Sequence, residues 1–132
     1  MLDHVRDSLK INVLAVEYPG YGIYDEPMLG AVGDFGPTEE KILRDAELVL
    51  NFALTQTCLS NIIVLGRSLG SGPATHLASK FRVSGLILMS PYTSIKNVAY
   101  SKVGMLSVFV PECFNNLEKI KSVECPTFIL HG

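Results

Sequence analysis

The sequence predicts an α/β protein with a mostly parallel sheet and helices on both faces. Four short runs are mostly apolar without strict alternation, which is typical of strands buried on both sides; they are residues 11–17, 62–65, 83–90 and 126–130. Segments with helical spacing separate most of these runs, and strands that alternate with helices favour parallel pairing. A chain of 132 residues, 48% hydrophobic and 18% charged, suits one globular domain or part of one.

The first two helices are predicted from apolar spacing and capping. Residues 2–10 carry leucine and valine at intervals of three, four and seven, as one helix face does. Thr38 is the predicted N-cap of the second helix, and Glu39 and Glu40 follow in its first turn, where the helix dipole favours acids. An apolar stripe then continues to near Thr57, which predicts an amphipathic helix packed on the sheet.

Two long connections interrupt the alternation. The loop at residues 23–35 is longer than most strand-to-helix loops, and two interpretations stay open: one wall of a substrate pocket, or a surface insertion. Residues 95–113 have mixed periodicity and are interpreted as a cap over a pocket or as a buried excursion. A short helix is predicted over residues 114–123, with Leu117 and Ile120 facing inward.

The most informative stretch is NIIVLGRSLGSGPAT, residues 61–75. Its apolar run leads into Gly66, Arg67, Ser68, Leu69 and Gly70, and small residues and a helical segment follow. The pattern is a strand, a sharp turn and a helix with G-x-S-x-G at the turn. A serine at such an apex has strained backbone angles, and a side chain at either glycine is expected to collide with neighbouring backbone.

This turn predicts a nucleophilic serine. It directs the Ser68 hydroxyl away from the sheet edge and sets it at a helix N-terminus, where free N–H groups can stabilise an oxyanion. The backbone N–H of Leu69 is the expected half of that oxyanion hole. The alternative interpretation is a glycine-rich turn with a solvent-facing serine.

A serine nucleophile needs a base, and the base needs an orienting acid, in the chain order Ser, Asp or Glu, His. No aspartate follows Ser68, and the acids downstream are Glu112, Glu118 and Glu124. The sequence therefore predicts an incomplete catalytic set.

The three histidines do not supply the base. His76 lies eight residues after Ser68 in the following helix, about 12 Å along its axis, and is interpreted as a helix-face histidine. His131 ends the last strand on the correct edge, but a strand two places from Ser68 lies about 10 Å away. His4 precedes the first predicted strand and is expected toward the opposite end of the sheet.

Composition and motifs exclude several other classes. The formal charge of −2 gives no nucleic-acid footprint, no apolar run reaches the length of a transmembrane helix, and the N-terminus does not resemble a signal peptide. No metal spacing is visible, and the glycines at 20–22 and 66–72 match neither a dinucleotide fingerprint nor a P-loop, so no cofactor is predicted.

The cysteines indicate a reducing compartment. Cys58, Cys113 and Cys125 are an odd set without a metal-ligand pattern, and we interpret them as reduced thiols, with Cys58 and Cys125 buried. A cytoplasmic location is therefore expected. The oligomeric state stays open.

Five stretches together resemble the alpha/beta-hydrolase superfamily: NVLAVEYPGYG, GPTEEKILRDAE, IIVLGRSLGSGPATHLA, GLILMSPYTSI and PTFILHG. Within the superfamily the chain resembles the serine hydrolases close to alpha/beta-hydrolase domain-containing proteins 13 and 17, the latter protein depalmitoylases, and it is also similar to serine aminopeptidase-like domains. By position, Ser68 matches the family nucleophile and Leu69 the oxyanion donor of the turn. The resemblance implies ester or thioester hydrolysis of a small acyl ester or an acylated protein.

The resemblance also implies that the chain is the middle of such a domain, incomplete at both ends. The family's catalytic Asp and His follow the stretch that matches PTFILHG, and its second oxyanion donor precedes the stretch that matches residue 1. The 132 residues alone are therefore expected to be inactive. The other hypothesis is a non-catalytic remnant that binds a partner or associates with itself.

Overall fold

The computed structural model of the protein describes residues 2–18, 38–93 and 114–131. The chain divides into two compact units, Met1–Pro37 and Thr38–Gly132. In the first unit, helix α1 spans Leu2–Leu9, as the apolar spacing predicts. Lys10 has φ 51°, a left-handed backbone that ends the helix.

The strand predicted over residues 11–17 is wrong. Residues 11–18 form no strand, and Ile11 and Leu14 are 46% and 53% exposed. An apolar run becomes a buried strand only where a neighbouring strand takes up its backbone hydrogen bonds. The described part of this unit contains no strand that could pair with the run, so the run stays exposed.

In the second unit, helix α2 spans Glu39–Leu54 and begins at the predicted cap. The Thr38 hydroxyl accepts a hydrogen bond of 3.2 Å from the backbone N–H of Lys41, which satisfies one of the first-turn donors. The buried residues Ile42, Ala46 and Leu50 form its inward stripe. The helix ends three residues before Thr57.

Within residues 38–93 and 114–131 the structure has a three-stranded parallel sheet, which confirms the predicted α/β class. The strands lie side by side in chain order, and a helix connects the first two. Leu65 pairs with Ile87, and Ile87 pairs with Phe128. The remaining elements are β1 (Ile63–Arg67), α3 (Ser71–Lys80), β2 (Gly85–Met89), α4 (Asn116–Lys119) and β3 (Thr127–Leu130).

The core of this unit lies between one face of the sheet and the helices. Leu86 and Leu88 on that face are 1% and 3% exposed and pack with Ala74 and Ala78 of α3. The small alanines let the helix axis lie close to the strands. Helix α2 packs in turn through Ala46 and Leu50 against Leu77, so the two helices form one layer.

The opposite face of the sheet is exposed in the described part of the chain. Ile63 and Leu65 alternate with less exposed residues of their strand, and Phe128 lies on the same face; the three are 61%, 57% and 60% exposed. The mostly apolar runs predicted helices on both faces; α2 and α3 pack against the Val64 and Leu86 face. We call Ile63, Leu65, Phe128 and Leu130 the open sheet face.

The segment before β3 differs from its prediction in side-chain orientation. Helix α4 is followed by a 3₁₀ turn at Ile120–Ser122. Ile120 packs against the core as predicted, but Leu117 is 58% exposed, because the helix is a single turn and presents one inward position to the core.

The cysteine prediction is also partly wrong. Cys58 is exposed, because it lies in the surface connection between α2 and β1. Cys125 is half-buried and packs against the core. Cys113, the loop at 23–35 and the excursion at 95–113 lie outside the described residues.

Within the ranges that the structure describes, none of the helices combines the length and the apolar character that crossing a membrane requires.

Candidate active site at a strand-to-helix turn

Strand β1 ends at Arg67, and the chain turns sharply at Ser68. Ser68 has φ 48°, an exposed position, and a 3₁₀ turn, Ser68–Gly70, that runs directly into α3. A left-handed backbone costs a non-glycine residue about 1–2 kcal/mol, so the surrounding structure must hold it. The predicted strand, turn and helix are therefore present at the G-x-S-x-G motif.

The two glycines of the motif serve different purposes. A Cβ at the buried Gly66 would collide with the carbonyl oxygen of Gly70 and lie 2.6 Å from the Cβ of Ala74. Gly66 therefore lets the start of α3 lie against β1. Gly70 has φ −62°, a backbone angle that any residue adopts. Its carbonyl oxygen is the atom with which a side chain at position 66 would collide.

Three polar residues follow the three strands at the same edge of the sheet. Because Arg67 pairs with Met89 and Met89 pairs with Leu130, the residues after these positions share the carboxyl edge. They are Ser68, Ser90 and His131, and all three are exposed. Ligands of open parallel sheets bind at this edge.

His131 lies on the correct edge but two strands from Ser68. The order β1-β2-β3 puts the two residues about 10 Å apart at roughly 4.8 Å per strand. A general base must lie within hydrogen-bond reach of the proton it removes. His131 is therefore not positioned as the base of Ser68 in this arrangement.

His76 forms a contact between helices, as its interpretation as a helix-face histidine predicts. Its Nε2 lies 2.7 Å from Oε1 of Glu47, and the Lys80 ammonium donates to both oxygens of the same carboxylate at 2.8 Å. Hydrogen bonds from Lys80 and His76 hold the pKa of Glu47 below its usual range. This cluster links α2 to α3.

The described acids that follow Ser68 are committed to ion pairs elsewhere. Glu118 accepts from Lys121 at 2.7 Å, and Glu124 pairs with Arg82 at 2.9 Å. Glu124 precedes β3 and so lies at the edge opposite Ser68. In residues 38–93 and 114–131, no histidine and carboxylate pair is brought to the Ser68 hydroxyl.

A buried polar network behind the turn was not predicted from the sequence. The side-chain amide of Asn116 donates to the Ser71 hydroxyl at 3.2 Å and to the Tyr92 carbonyl at 3.0 Å. The Tyr92 hydroxyl donates to the Leu69 carbonyl at 3.3 Å. Asn116 lies in a short polar segment with no motif around it, so the sequence carried no signal for this role.

Relatives of this chain carry alpha/beta-hydrolase names. The chain is 29% identical over 126 residues to alpha/beta hydrolase domain-containing protein 17B of Homo sapiens, covering 94% of this chain and 40% of that protein. It is 29% identical over 126 residues to alpha/beta hydrolase domain-containing protein aho-3 of Caenorhabditis elegans, covering 94% and 35%. A protein of Acanthamoeba polyphaga mimivirus also named as an alpha/beta hydrolase, L404, is 31% identical over 134 residues, covering 99% and 47%.

The alpha/beta-hydrolase resemblance is confirmed.

The parallel sheet with its helices agrees with these alpha/beta-hydrolase relatives. The chain spans less than half the length of each relative named above. No family model matches the chain. No solved structure matches it either.

Proposed function

We propose that the protein containing this chain is a serine hydrolase that cleaves esters or thioesters through an acyl-Ser68 intermediate. The observation that carries the proposal is the left-handed, exposed Ser68 between a parallel strand and a helix, at the carboxyl edge of the sheet. The names of the relatives support a hydrolase lineage. The substrate classes are a small acyl ester and an acylated protein, including a palmitoylated one.

The proposed reaction has two stages. The Ser68 oxygen bonds to the acyl carbon while a base removes the hydroxyl proton, and the Leu69 N–H donates to the oxyanion that forms. Collapse of this intermediate breaks the bond to the alcohol or thiol, which receives the proton from the base. Water then attacks the acyl-serine and gives its proton to the base. Collapse of this second intermediate breaks the bond between the acyl carbon and the Ser68 oxygen, which receives the proton back from the base, and releases the carboxylic acid.

The base and the acid of this reaction are proposed to lie outside these 132 residues. Support comes from the pairings of His76, Glu118 and Glu124 and from the greater length of the relatives. For the 132 residues alone we expect little or no hydrolysis.

The test is labelling by a fluorophosphonate probe, which reacts with activated serines, of the protein expressed from the complete natural gene. We expect Ser68→Ala to abolish labelling. Ser90→Ala is the matched control: Ser90 also follows a parallel strand at this edge, is exposed and has φ 47°, but no helix begins at it. Labelling that persists in Ser68→Ala, or that is lost in Ser90→Ala instead, would refute the nucleophile assignment.

The second candidate function is a non-catalytic remnant that associates with itself or with a partner. The open sheet face favours it, because exposed apolar residues on adjacent strands drive association. The intact mass of the protein that its source cells make from the natural gene distinguishes the two candidate functions. A mass near 14.4 kDa favours the remnant, and a mass about twice that, expected for a whole domain, favours the hydrolase.

A further inference from the structure

We propose that Asn116 is a positioning residue of the Ser68 turn, which it holds through Ser71 and Tyr92. The inference rests on the proposed hydrolase function and extends it to a residue 48 positions from the nucleophile in the chain. Asn116 does not contact the reacting atoms. It contacts two residues, Ser71 and Tyr92, that themselves donate hydrogen bonds to the backbone carbonyls of the turn.

The first connection runs to the start of α3. Ser71 is the first residue of that helix and is fully buried, and Asn116 is 5% exposed. The Asn116 amide donates to the Ser71 hydroxyl across the interface between α3 and α4. The backbone N–H of Ser71 in turn donates to the carbonyls of Leu69 and Ser68 and so closes the turn.

The second connection runs through Tyr92 to Leu69. The Asn116 side-chain nitrogen donates its other hydrogen to the Tyr92 carbonyl, and the nitrogen lies 3.0 Å from the carbonyl oxygen. Tyr92 then donates its hydroxyl to the Leu69 carbonyl. The Leu69 N–H is the proposed oxyanion donor. These hydrogen bonds restrain Leu69 through its carbonyl and so help to fix the direction of its N–H.

An asparagine suits this position chemically. A side-chain amide nitrogen carries two hydrogens, and the two acceptors take one each. Since a carbonyl oxygen can only accept, the contact with Tyr92 requires that the nitrogen faces it. An aspartate would have no donor at either contact and would oppose the Tyr92 carbonyl with a negative oxygen.

The backbone around Asn116 is anchored independently of its side chain. Its N–H lies 2.8 Å from the Thr93 carbonyl, and the Leu117 N–H lies 3.2 Å from the same oxygen. Phe114 is 3% exposed and packs against Gly72, where an added Cβ would collide with its ring. Truncation of the Asn116 side chain therefore leaves the segment in place and removes the two connections.

The expected effect is a slower reaction of Ser68 at an unchanged affinity. Misplacement of a reacting group by about 1 Å costs roughly 100-fold in rate, and a loosened turn is expected to lose about 10- to 100-fold. Substrate and probe affinity should stay within about twofold, because Asn116 is only 5% exposed and offers little surface to a bound molecule.

The experiment measures the maximal inactivation rate and the half-saturating concentration for a fluorophosphonate probe. The protein is expressed from the complete natural gene as wild type, Asn116→Ala, Tyr92→Phe and Asn115→Ala. Asn115 is the matched control: it is the neighbouring asparagine, and its side chain caps α4 through the Glu118 N–H rather than contacting the turn. We expect the maximal rate to fall in Asn116→Ala and to stay within about twofold of wild type in Asn115→Ala.

Tyr92→Phe keeps the ring and the backbone carbonyl of residue 92 and removes only the hydroxyl that donates to the Leu69 carbonyl. This variant therefore reports on the second connection if Asn116→Ala does not fold. We expect a smaller fall than in Asn116→Ala, roughly 3- to 10-fold. The double variant should react at nearly the rate of Asn116→Ala, since Tyr92 acts downstream of Asn116.

The outcomes separate the two proposals. Labelling that survives Ser68→Ala refutes the hydrolase assignment itself. If Ser68 is essential, an unchanged maximal rate in folded Asn116→Ala overturns the positioning role. A raised half-saturating concentration in Asn116→Ala at an unchanged maximal rate also overturns the positioning role. If Asn116→Ala does not fold, a Tyr92→Phe variant that reacts at the wild-type rate overturns it. Equal slowing in Asn115→Ala and Asn116→Ala likewise refutes a specific role for Asn116.

Discussion

Replacing Gly66 with alanine adds one methyl group where β1 lies against the start of α3. The new Cβ would lie 2.6 Å from the Cβ of Ala74 and would collide with the Gly70 carbonyl. Gly66 is buried, so the methyl group cannot turn toward solvent. The start of α3 has to move, and Ser68 moves with it.

The size of the effect follows from this geometry. Carbon atoms in contact prefer about 3.5–4.0 Å, so the helix must withdraw by roughly 1 Å. Overpacking of this kind costs about 1–3 kcal/mol of unfolding free energy. At a typical urea dependence of about 2 kcal/mol per molar, a loss of 2 kcal/mol lowers the urea midpoint by about 1 M. A 1 Å displacement of the nucleophile lowers the probe reaction rate by roughly 100-fold.

The assay compares Gly66→Ala with Gly85→Ala in the protein expressed from the complete natural gene. Gly85 begins the neighbouring strand, and a Cβ there would lie 3.6 Å from the Pro126 carbonyl and 3.8 Å from the Ile63 side chain, which are ordinary contacts. We expect the control to change the unfolding free energy by about 0.5 kcal/mol or less. Urea unfolding and probe labelling are measured on both variants.

A second substitution tests which contact is limiting. Ala74→Gly removes the side chain that the new methyl group meets, but the Gly70 carbonyl is backbone and stays in place. We therefore expect Gly66→Ala with Ala74→Gly to recover only part of the loss. Equal urea midpoints and labelling rates in Gly66→Ala and Gly85→Ala would refute this account of the turn.

Two further predictions concern the helix layer and the open sheet face. The Glu47 carboxylate accepts hydrogen bonds from Lys80 and His76, which lower its pKa in the folded chain. Its contribution to stability is therefore fully present above the ordinary glutamate pKa of about 4.3. That contribution is lost as the pH falls through the lower pKa of the folded state. Near pH 7 the unfolding free energy of wild type should therefore exceed that of Glu47→Gln by about 1 kcal/mol or less. Urea titrations at several pH values should show this difference shrinking below about pH 4.3. A difference that stays constant with pH would contradict the role of Glu47. For the open sheet face, the 132-residue chain should sediment above 14.4 kDa, and Leu65→Lys should shift it toward the monomer, whereas Leu48→Lys, on α2 and 60% exposed, should not. A monomeric wild type, or equal behaviour of the two lysine variants, would rule out association through this face.

Several features of the protein follow from the sequence because their causes are local. Thr38 caps α2 through an N–H three residues away, and the Ser68 turn arises where an apolar strand meets glycines and a helix. A hydrogen bond over three residues determines the cap, and the steric limit at Gly66 determines the turn. The parallel order of the strands also follows from the sequence, since strands connected through a helix pair in that direction.

Other features depend on which elements are neighbours, and only the tertiary structure decides them. The run at 11–17 has the composition of a buried strand, yet residues 2–18, the described part of its unit, contain no strand that pairs with it. The three strands of the sheet are apolar on both faces, and only packing shows that α2 and α3 cover the Val64 face while Leu65 is exposed.

The polar contacts separate in the same way. Ser68 could be selected from its own turn, whereas Asn116 meets Ser71 and Tyr92 across 45 and 24 residues of chain, and His76 meets Glu47 across 29. Hydrogen bonds of this range require a direction and a distance that composition and spacing do not contain. The sequence alone therefore determined the predicted nucleophile and the turn that carries it, and the folded chain decided which side chains hold that turn in place.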